Sequence, residues 1–237
     1  MRAGLEDRRV LVIGRSGGIA GAIVTAVRDS GATVVVASRN PDALAEAYGE
    51  DLATEAVDVT EEASVAALAH RLGHVDHVVS TASARARGRL GDLQPAAVLQ
   101  SLSTKVLGPI LLAKHFAPRM PRDGSFVFFS GATARKPAPG MLAVAATNGG
   151  VDAVTRALAV EIAPLRVNSV SPGTIDSGAH DALGEQQKAE LFAGRAARNP
   201  AGRVGDPEDV VRAVLYALTS TFTTGTSLVV DGGETLV

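Results

Sequence analysis

The stretch Val10-Leu11-Val12-Ile13-Gly14-Arg15-Ser16-Gly17-Gly18-Ile19-Ala20-Gly21 decides the reading of this chain. A short apolar run, bounded by charge on one side and glycine on the other, leads into a turn and then into helical spacing that continues to Asp29. Glycines let a backbone turn tightly and approach a diphosphate closely. The helix behind such a turn offers free N–H groups and the positive end of its dipole. The spacing is G-x-x-x-G-x-A rather than the strict G-x-G-x-x-G, so its weight comes from its place between a strand and a helix near the N-terminus.

Outward from this turn, strand-like and helix-like stretches alternate to the end of the chain. Strands are predicted at 10–13, 33–37, 53–59, 75–80, 125–130, 165–170 and 227–230, and helices at 19–29, 41–48, 61–72, 95–117, 142–163 and 207–218, with Asn40 as a cap. The strands are continuous apolar runs, as in a parallel sheet covered on both faces. The alternation predicts one α/β domain over residues 1–237, a Rossmann-like, doubly wound parallel sheet. Residues 177–203 are polar, rich in Gly and Ala, and break the rhythm. Ligands in such folds sit beyond the carboxyl ends of the strands, which makes this segment a candidate substrate lid; the alternative is a plain surface excursion.

Composition narrows the function. With 46% hydrophobic and 20% charged residues a large core forms and disorder is not expected. The net charge of −2 gives no global field for nucleic acid or an anionic membrane, and Arg85, Arg87 and Arg89, the one basic cluster, read as a solvated loop. There is no Cys, so thiolate catalysis and cysteine–zinc sites are excluded. His70, His74 and His77 come closest to metal-ligand spacing but read as structural or surface residues. No apolar run approaches the roughly 20 residues of a membrane span, and the charged residues 1–9 do not read as a signal peptide, so the cytoplasm is the expected compartment.

Several motifs in order resemble the classical short-chain dehydrogenase/reductase family. That family's turn, T-G-x-x-x-G-I-G, is matched by Gly14, Gly18 and Ile19, with Ile13 in place of Thr and Ala20 in place of Gly. Asp58-Val59 resembles its adenine-contacting pair. Asn168-Ser169-Val170-Ser171-Pro172-Gly173-Thr174-Ile175 is similar to its N-x-V-x-P-G-x-I, which holds the nicotinamide end, with Ser177 where a Thr near the pyrophosphate is usual. The stretches from Gly202 to Asp209, Thr224-Gly225 and Val230-Asp231-Gly232-Gly233 are similar to its C-terminal signature. The resemblance implies a dinucleotide held by Gly14, Arg15, Ser16, Gly18, Ile19, Ser38, Arg39, Asp58, Val59, Thr81, Ala82, Pro172, Gly173, Thr174, Ile175 and Ser177. It also implies a homo-oligomer, dimer or tetramer, paired through the two long helices, and a small-molecule substrate. The face of Ala143, Ala146, Val151, Val154, Ala157 and Leu158 suits close helix contact, or faces the sheet.

The cofactor follows from charge. NAD enzymes place an acid at the end of the second strand to accept from the ribose 2′-OH. Here that strand ends Ala37-Ser38-Arg39-Asn40. Arg39, and Arg15 inside the turn, suit a 2′-phosphate, which a carboxylate would repel. The expectation is NADP(H).

The catalytic residues of the family do not match. Its Tyr and Lys, in Y-x-x-x-K, supply a proton to the alkoxide that hydride transfer creates. Those places hold Val144 and Asn148. Its Ser falls on Gly131, beside Ser130; its Asn falls on Lys105; and its N-N-A-G has become Ser80-Thr81-Ala82-Ser83. Lys and Asn look exchanged between two helices facing one site. Lys105, with Asn148 and Ser130, is therefore the candidate catalytic group, and Ser83 and Thr147 are candidate donors to substrate. The expected activity is NADP(H)-dependent hydride transfer to or from a carbonyl, activated C=C or C=N bond by an altered mechanism. The alternatives are a catalytically inactive NADP(H)-binding pseudo-enzyme, acting as sensor or partner subunit, and a lyase or isomerase on the same scaffold.

Overall fold

The computed structural model describes residues 4–237 of the chain. Its strands are β1 (Arg9–Ile13), β2 (Thr33–Ser38), β3 (Ala53–Ala56), β4 (His77–Ser80), β5 (Ser125–Phe129), β6 (Arg166–Pro172) and β7 (Ser227–Val230). They form one parallel sheet in the order β3-β2-β1-β4-β5-β6-β7. This is the doubly wound sheet the alternation predicts. The helices are α1 (Gly18–Asp29), α2 (Pro41–Tyr48), α3 (Glu62–Leu72), α4 (Pro95–Leu102), α5 (Gly108–Phe116), α6 (Leu142–Glu161), α7 (Glu185–Ala196) and α8 (Pro207–Thr219).

Strand side chains alternate between two cores, as the pleat requires. Leu11, Val35, Val78, Phe126 and Phe128 face one layer with Val65, Leu68, Leu112, Phe116 and Val151 from α3, α5 and α6. Val10, Val12, Val34, Val36, Val79 and Val127 face the other with Ile23, Val27, Val210, Val214 and Leu218 from α1 and α8. Each such side chain contributes about 1.5–3 kcal/mol by leaving water. Only the edge strands β3 and β7 lack fully buried positions.

Helix ends follow local chemistry. The Asn40 side chain caps α2 by accepting from the Ala43 N–H, ahead of Pro41 at the first helical position. Asp206 and Asp209 form a reciprocal cap on α8, and Arg203 grips Asp209 at 2.6 and 2.8 Å. That grip is the first cause holding the Asp209 carboxyl down to about 2.

Three expectations need correction. The 95–117 helix is continuous but contains one π turn, Ser103–Leu107, between α4 and α5. By length and composition the run Pro95–Arg119 is long and apolar enough to cross a bilayer. Here Leu111, Leu112, Ala113 and Phe116 are buried in the core against the sheet. Residues 177–203 carry a full helix, α7. It has no buried position, so it leaves no apolar stripe to read.

His77 lies at the N-terminal end of β4, buried, with its Nδ1 2.8 Å from the Ser125 hydroxyl. Burial, and next the Arg166 charge, push it from 6.5 down to about 4. His74, exposed, pairs with Asp76. A histidine held neutral when folded but free to charge when unfolded draws protons to the unfolded state. Its contribution to stability is therefore complete above pH 6.5 and is lost as pH falls toward 4. Urea unfolding should show roughly 2–3 kcal/mol lost from this group between pH 7 and 4.5. His77→Asn, which keeps a partner for Ser125, should lose correspondingly less over that window; an unchanged pH dependence would remove His77 from the account.

Candidate functional site

From β1 the chain winds outward through β2 and β3, then returns to β4 on the other side of β1. The connections diverge there, and the carboxyl ends of β1 and β4 open a crevice. The seam is tight. The Thr81 N–H and hydroxyl both donate to the Ile13 carbonyl, at 2.8 and 3.1 Å, and the Gly14 N–H donates to Ala37. A side chain at Gly14 would overlap Thr81 Oγ1 and the Ala20 methyl, so Ala20, which replaces glycine in the family turn, makes Gly14 more necessary.

α1 opens at Gly18 with no side-chain cap and no acidic residue in its first turn, leaving its N-terminal amides free for an anion. Gly18 has φ +60°, and a Cβ there would lie 2.6 Å from the Ser177 carbonyl oxygen, so the start of the 177–203 segment comes down onto the glycine turn. The turn is braced from α2, where the Tyr48 hydroxyl donates to the Ser16 carbonyl at 3.2 Å.

At the adenosine end, Ser38 Oγ lies 2.9 Å from the Asn40 carbonyl and 3.1 Å from its N–H, and Arg39 is exposed beside it. Asp58 accepts from the Thr60 N–H and hydroxyl at 2.9 and 2.7 Å. Burial pushes the Asp58 carboxyl up, but the Thr60 bonds and the Arg39 charge outweigh it and hold it below the usual carboxylate value. Val59 is buried against Gly108, where any Cβ would press on it at 3.2 Å. Ala82 packs against the core beyond Thr81.

At the far end of β6 the expected cofactor loop is partly committed to the protein itself. The Gly173 N–H donates to Val230, and the Thr174 N–H and hydroxyl donate to the Glu234 carboxylate at 2.7 and 3.2 Å. Gly173 is pressed against Asp231 and Glu234. Pro172 has no N–H, the Ile175 side chain is buried in the core, and the Ser177 carbonyl lies against Gly18.

The catalytic candidates meet. Lys105 leaves the π turn into a buried position, 7% exposed. Its Nζ donates to Asn148 Oδ1 at 2.5 Å and to the Ser130 carbonyl at 3.3 Å. Asn148, on α6, is fixed from its other end, since its Nδ2 donates to Thr133 Oγ1 at 2.7 Å. Gly131 is required here because a Cβ would fall 2.7 Å from Asn148 Nδ2. Two glycines thus bring three elements together, for Gly150 of α6 admits Val106 of the π turn at a distance no side chain would allow. Burial first, then the Arg85 charge, push Lys105 from 10.5 down to about 7, with Asp152 opposing.

Other candidates are placed differently. Ser130 contributes its carbonyl to Lys105, while its hydroxyl donates to the Asn148 carbonyl at 3.0 Å. The Thr147 hydroxyl bonds back to the Val144 carbonyl within α6. Ser83 is exposed. Val144, in the tyrosine's place, is buried. Thr133, Glu234 and Tyr48 escape sequence reading: each acts on a backbone or side chain 15 to 60 residues away. Thr133, two residues past Gly131, and Glu234, directly after Gly233, lie beside family motifs.

Comparison with known proteins identifies the family to which this fold belongs. A family model described as enoyl-(acyl carrier protein) reductase matches residues 13–235. A short-chain dehydrogenase/reductase of Stachybotrys chlorohalonatus is 33% identical over 98% of this chain and 98% of its own. A protein of Xanthobacter autotrophicus named inactive 2-(S)-hydroxypropyl-CoM dehydrogenase 2 is 34% identical over 76% of this chain and 84% of its own. Among solved structures, a small-chain dehydrogenase in complex with NADPH superposes with a TM-score of 0.84, at 26% identity over 98% of this chain and 100% of that one. By fold, by ordered motifs and by these relatives, the chain belongs to the classical short-chain dehydrogenase/reductase family of oxidoreductases.

Proposed function

We propose that this protein is an NADP(H)-dependent oxidoreductase in which Lys105, held by Asn148, takes the proton-donating role of the family's tyrosine. The observation that carries the reading is the Nζ–Oδ1 hydrogen bond joining Lys105 of the π turn to Asn148 of α6. The family's Asn and Lys are thus exchanged as a pair, and the pair still meets.

The crevice fits the cofactor. The uncapped start of α1 and the side-chain-free space at Gly14 and Gly18 suit a diphosphate. Arg39 and Arg15 are both exposed, and neither is committed to a carboxylate among the described residues. They suit the 2′-phosphate, with Ser38 beside Arg39, while Asp58 and Val59 would border the adenine and Thr81 and Ala82 would line the floor. Contacts at the nicotinamide end would fall to the Ile175 backbone and to Ser177 rather than to the N–H groups of Gly173 and Thr174, which are committed. When bound, NADPH supplies the hydride.

Lys105 supplies the proton. An ammonium has three N–H donors, and two are taken by Asn148 and Ser130, so one remains for the oxygen or nitrogen of a reacting carbonyl or imine, or for a bridging water. A value near 7 suits a general acid at neutral pH, since the group both gives and regains its proton. Residues 177–203, with α7, act as the lid. Exposed Leu99, Leu102, Ile110 and Leu142 on α4, α5 and α6 form the face through which copies of the chain pair. The small-residue face divides between the two predicted roles: Ala143 and Val151 are buried, while Ala146 and Ala157 are exposed.

A second reading, an NADP(H)-binding protein without turnover, has one observation in its favour: a relative as similar as the others is named inactive.

Three outcomes test the reading. NADPH should bind at least about tenfold tighter than NADH, and Arg39→Ala should narrow that gap. Reduction of ketones, enones or imines by NADPH should slow as pH rises through about 7, where Lys105 loses its proton, and Lys105→Met should lower turnover by roughly 10²-fold or more while NADPH affinity stays within about twofold. Asn148→Asp, by giving the ammonium an anionic partner, should move that pH limb upward by about a unit or more. NADPH binding without turnover on any of these substrates selects the second reading, and turnover unaffected by Lys105→Met discards the lysine mechanism.

A further inference from the structure

The loop that follows Thr133, the end of α7 and the last turn of the chain enclose a cavity of about 480 Å³ that takes no part in the mechanism above. Its volume is that of a small-molecule site. Lys136, Arg195, Arg198, Asn199, Glu234 and Val237 line it. The walls are joined by direct contacts around the turn Glu234–Leu236. The Lys136 ammonium donates to the Glu234 carbonyl at 3.1 Å, and Arg195 donates to the Glu234 carboxylate at 3.0 Å. The Asn199 amide donates to the Asp231 carbonyl at 2.8 Å, and Gly232 lies so near that a Cβ there would fall 2.5 Å from Asn199 Oδ1. Lys136, Arg195 and Arg198 are exposed, so the mouth of the cavity is open to solvent.

The charges in this cavity are out of balance. Among the described residues, Glu234 is the one carboxylate paired with the lining cations, and it is shared. It also accepts from the Thr174 N–H and hydroxyl at 2.7 and 3.2 Å. Lys136 meets only a neutral carbonyl. Arg195 spends one nitrogen of its fork on Glu234, which leaves the others free. Arg198 pairs with no carboxylate among the described residues. Because Lys136 and Arg195 are already held in place, they lose less freedom when a ligand arrives. The aliphatic stems of the three cations, with Val237, supply an apolar wall beneath the charged heads. A neighbouring cavity of about 350 Å³ differs in this respect, for its basic groups are answered: Arg203 pairs with Asp209 at 2.6 Å and Arg212 with Glu208 at 3.6 Å.

We propose that this cavity binds an organic oxyanion, a phosphate, sulfonate or carboxylate carried on an apolar body, through Lys136, Arg195 and Arg198. It lies at the same end of the sheet as the crevice. The Lys136 N–H donates to the Ala132 carbonyl at 2.9 Å, in the turn Ala132–Ala134 whose Thr133 holds Asn148. Two sources share this chemistry: the remote end of the substrate, and a separate effector.

The test titrates hexyl phosphate by calorimetry into the full chain saturated with NADP⁺, with inorganic phosphate and hexanol as the head and the body alone. Hexyl phosphate should bind at least about tenfold more tightly than either. Arg198→Ala and Lys136→Met should each weaken it by about tenfold, and Arg198→Lys should recover part of the loss, while NADP⁺ affinity changes less than about twofold. A keto derivative of hexyl phosphate identifies the source. For a substrate, the ketone adds affinity that Lys105→Met removes; for an effector, the two phosphates bind alike with or without Lys105. That arm alone rests on the lysine mechanism, so a failure of the mechanism is read separately from a failure of this site. Absence of hexyl phosphate binding, equal binding of inorganic phosphate or hexanol, or Arg198 and Lys136 variants of undiminished affinity would each overturn the proposal. Binding seen only without NADP⁺ would overturn it too, by placing the anion in the cofactor's crevice.

Discussion

The seam between β1 and β4 governs everything else in this molecule. There the Thr81 N–H and hydroxyl close on the Ile13 carbonyl, and Gly14 has no side chain because Thr81 and Ala20 occupy that space. The seam holds only two backbones, so the crevice is walled by what the neighbouring elements project into it: the start of α1, the ends of β2 and β3, the π turn, and the residues after β6. A doubly wound sheet places ligands at this point because the connections leave it in opposite directions. The glycines at 14 and 18 allow the close approach of Thr81 and Ser177 that completes the wall.

Placing Lys105 inside that wall has a cost. Its ammonium is surrounded by neutral oxygens, those of Asn148 and Ser130, rather than by a carboxylate. Leaving water without a counter-charge disfavours the charged form, and the fall to about 7 is the same energy expressed as acidity. A purely structural lysine would reach the surface or pair with an acid. This one is directed inward by a π turn, a local departure from α-helical geometry that often accompanies functional sites. Gly131 and Gly150 are kept small so that Asn148 and Val106 can close around it.

The fold was legible because long-range order here repeats local patterns. Apolar runs such as Val10–Ile13 and Phe126–Phe128 are buried on both faces, and caps such as Asn40 act within three residues. The meeting of Lys105 with Asn148 was legible too, since an exchange of two residue types between two motif positions shows in sequence. What stayed hidden lacks a local signal. α7 is helical without an apolar stripe. Glu234 removes the Thr174 donors from the cofactor loop across 60 residues. The Thr133 hydroxyl sets which end of the Asn148 amide faces the lysine. Arg85 and Arg87 read as a solvated loop and are exposed on one, while the ties of its backbone to Ser101 and Gly140 leave no local trace in the sequence.

The charges around the crevice follow one logic. The Arg85 charge opposes the Lys105 ammonium and the Asp152 charge favours it, while the Arg39 charge favours the Asp58 carboxylate. Like charges hold the ammonium's acidity up: Arg85 is the second cause of its fall to about 7, after burial. Anions entering the crevice act the other way, because each favours the charged lysine.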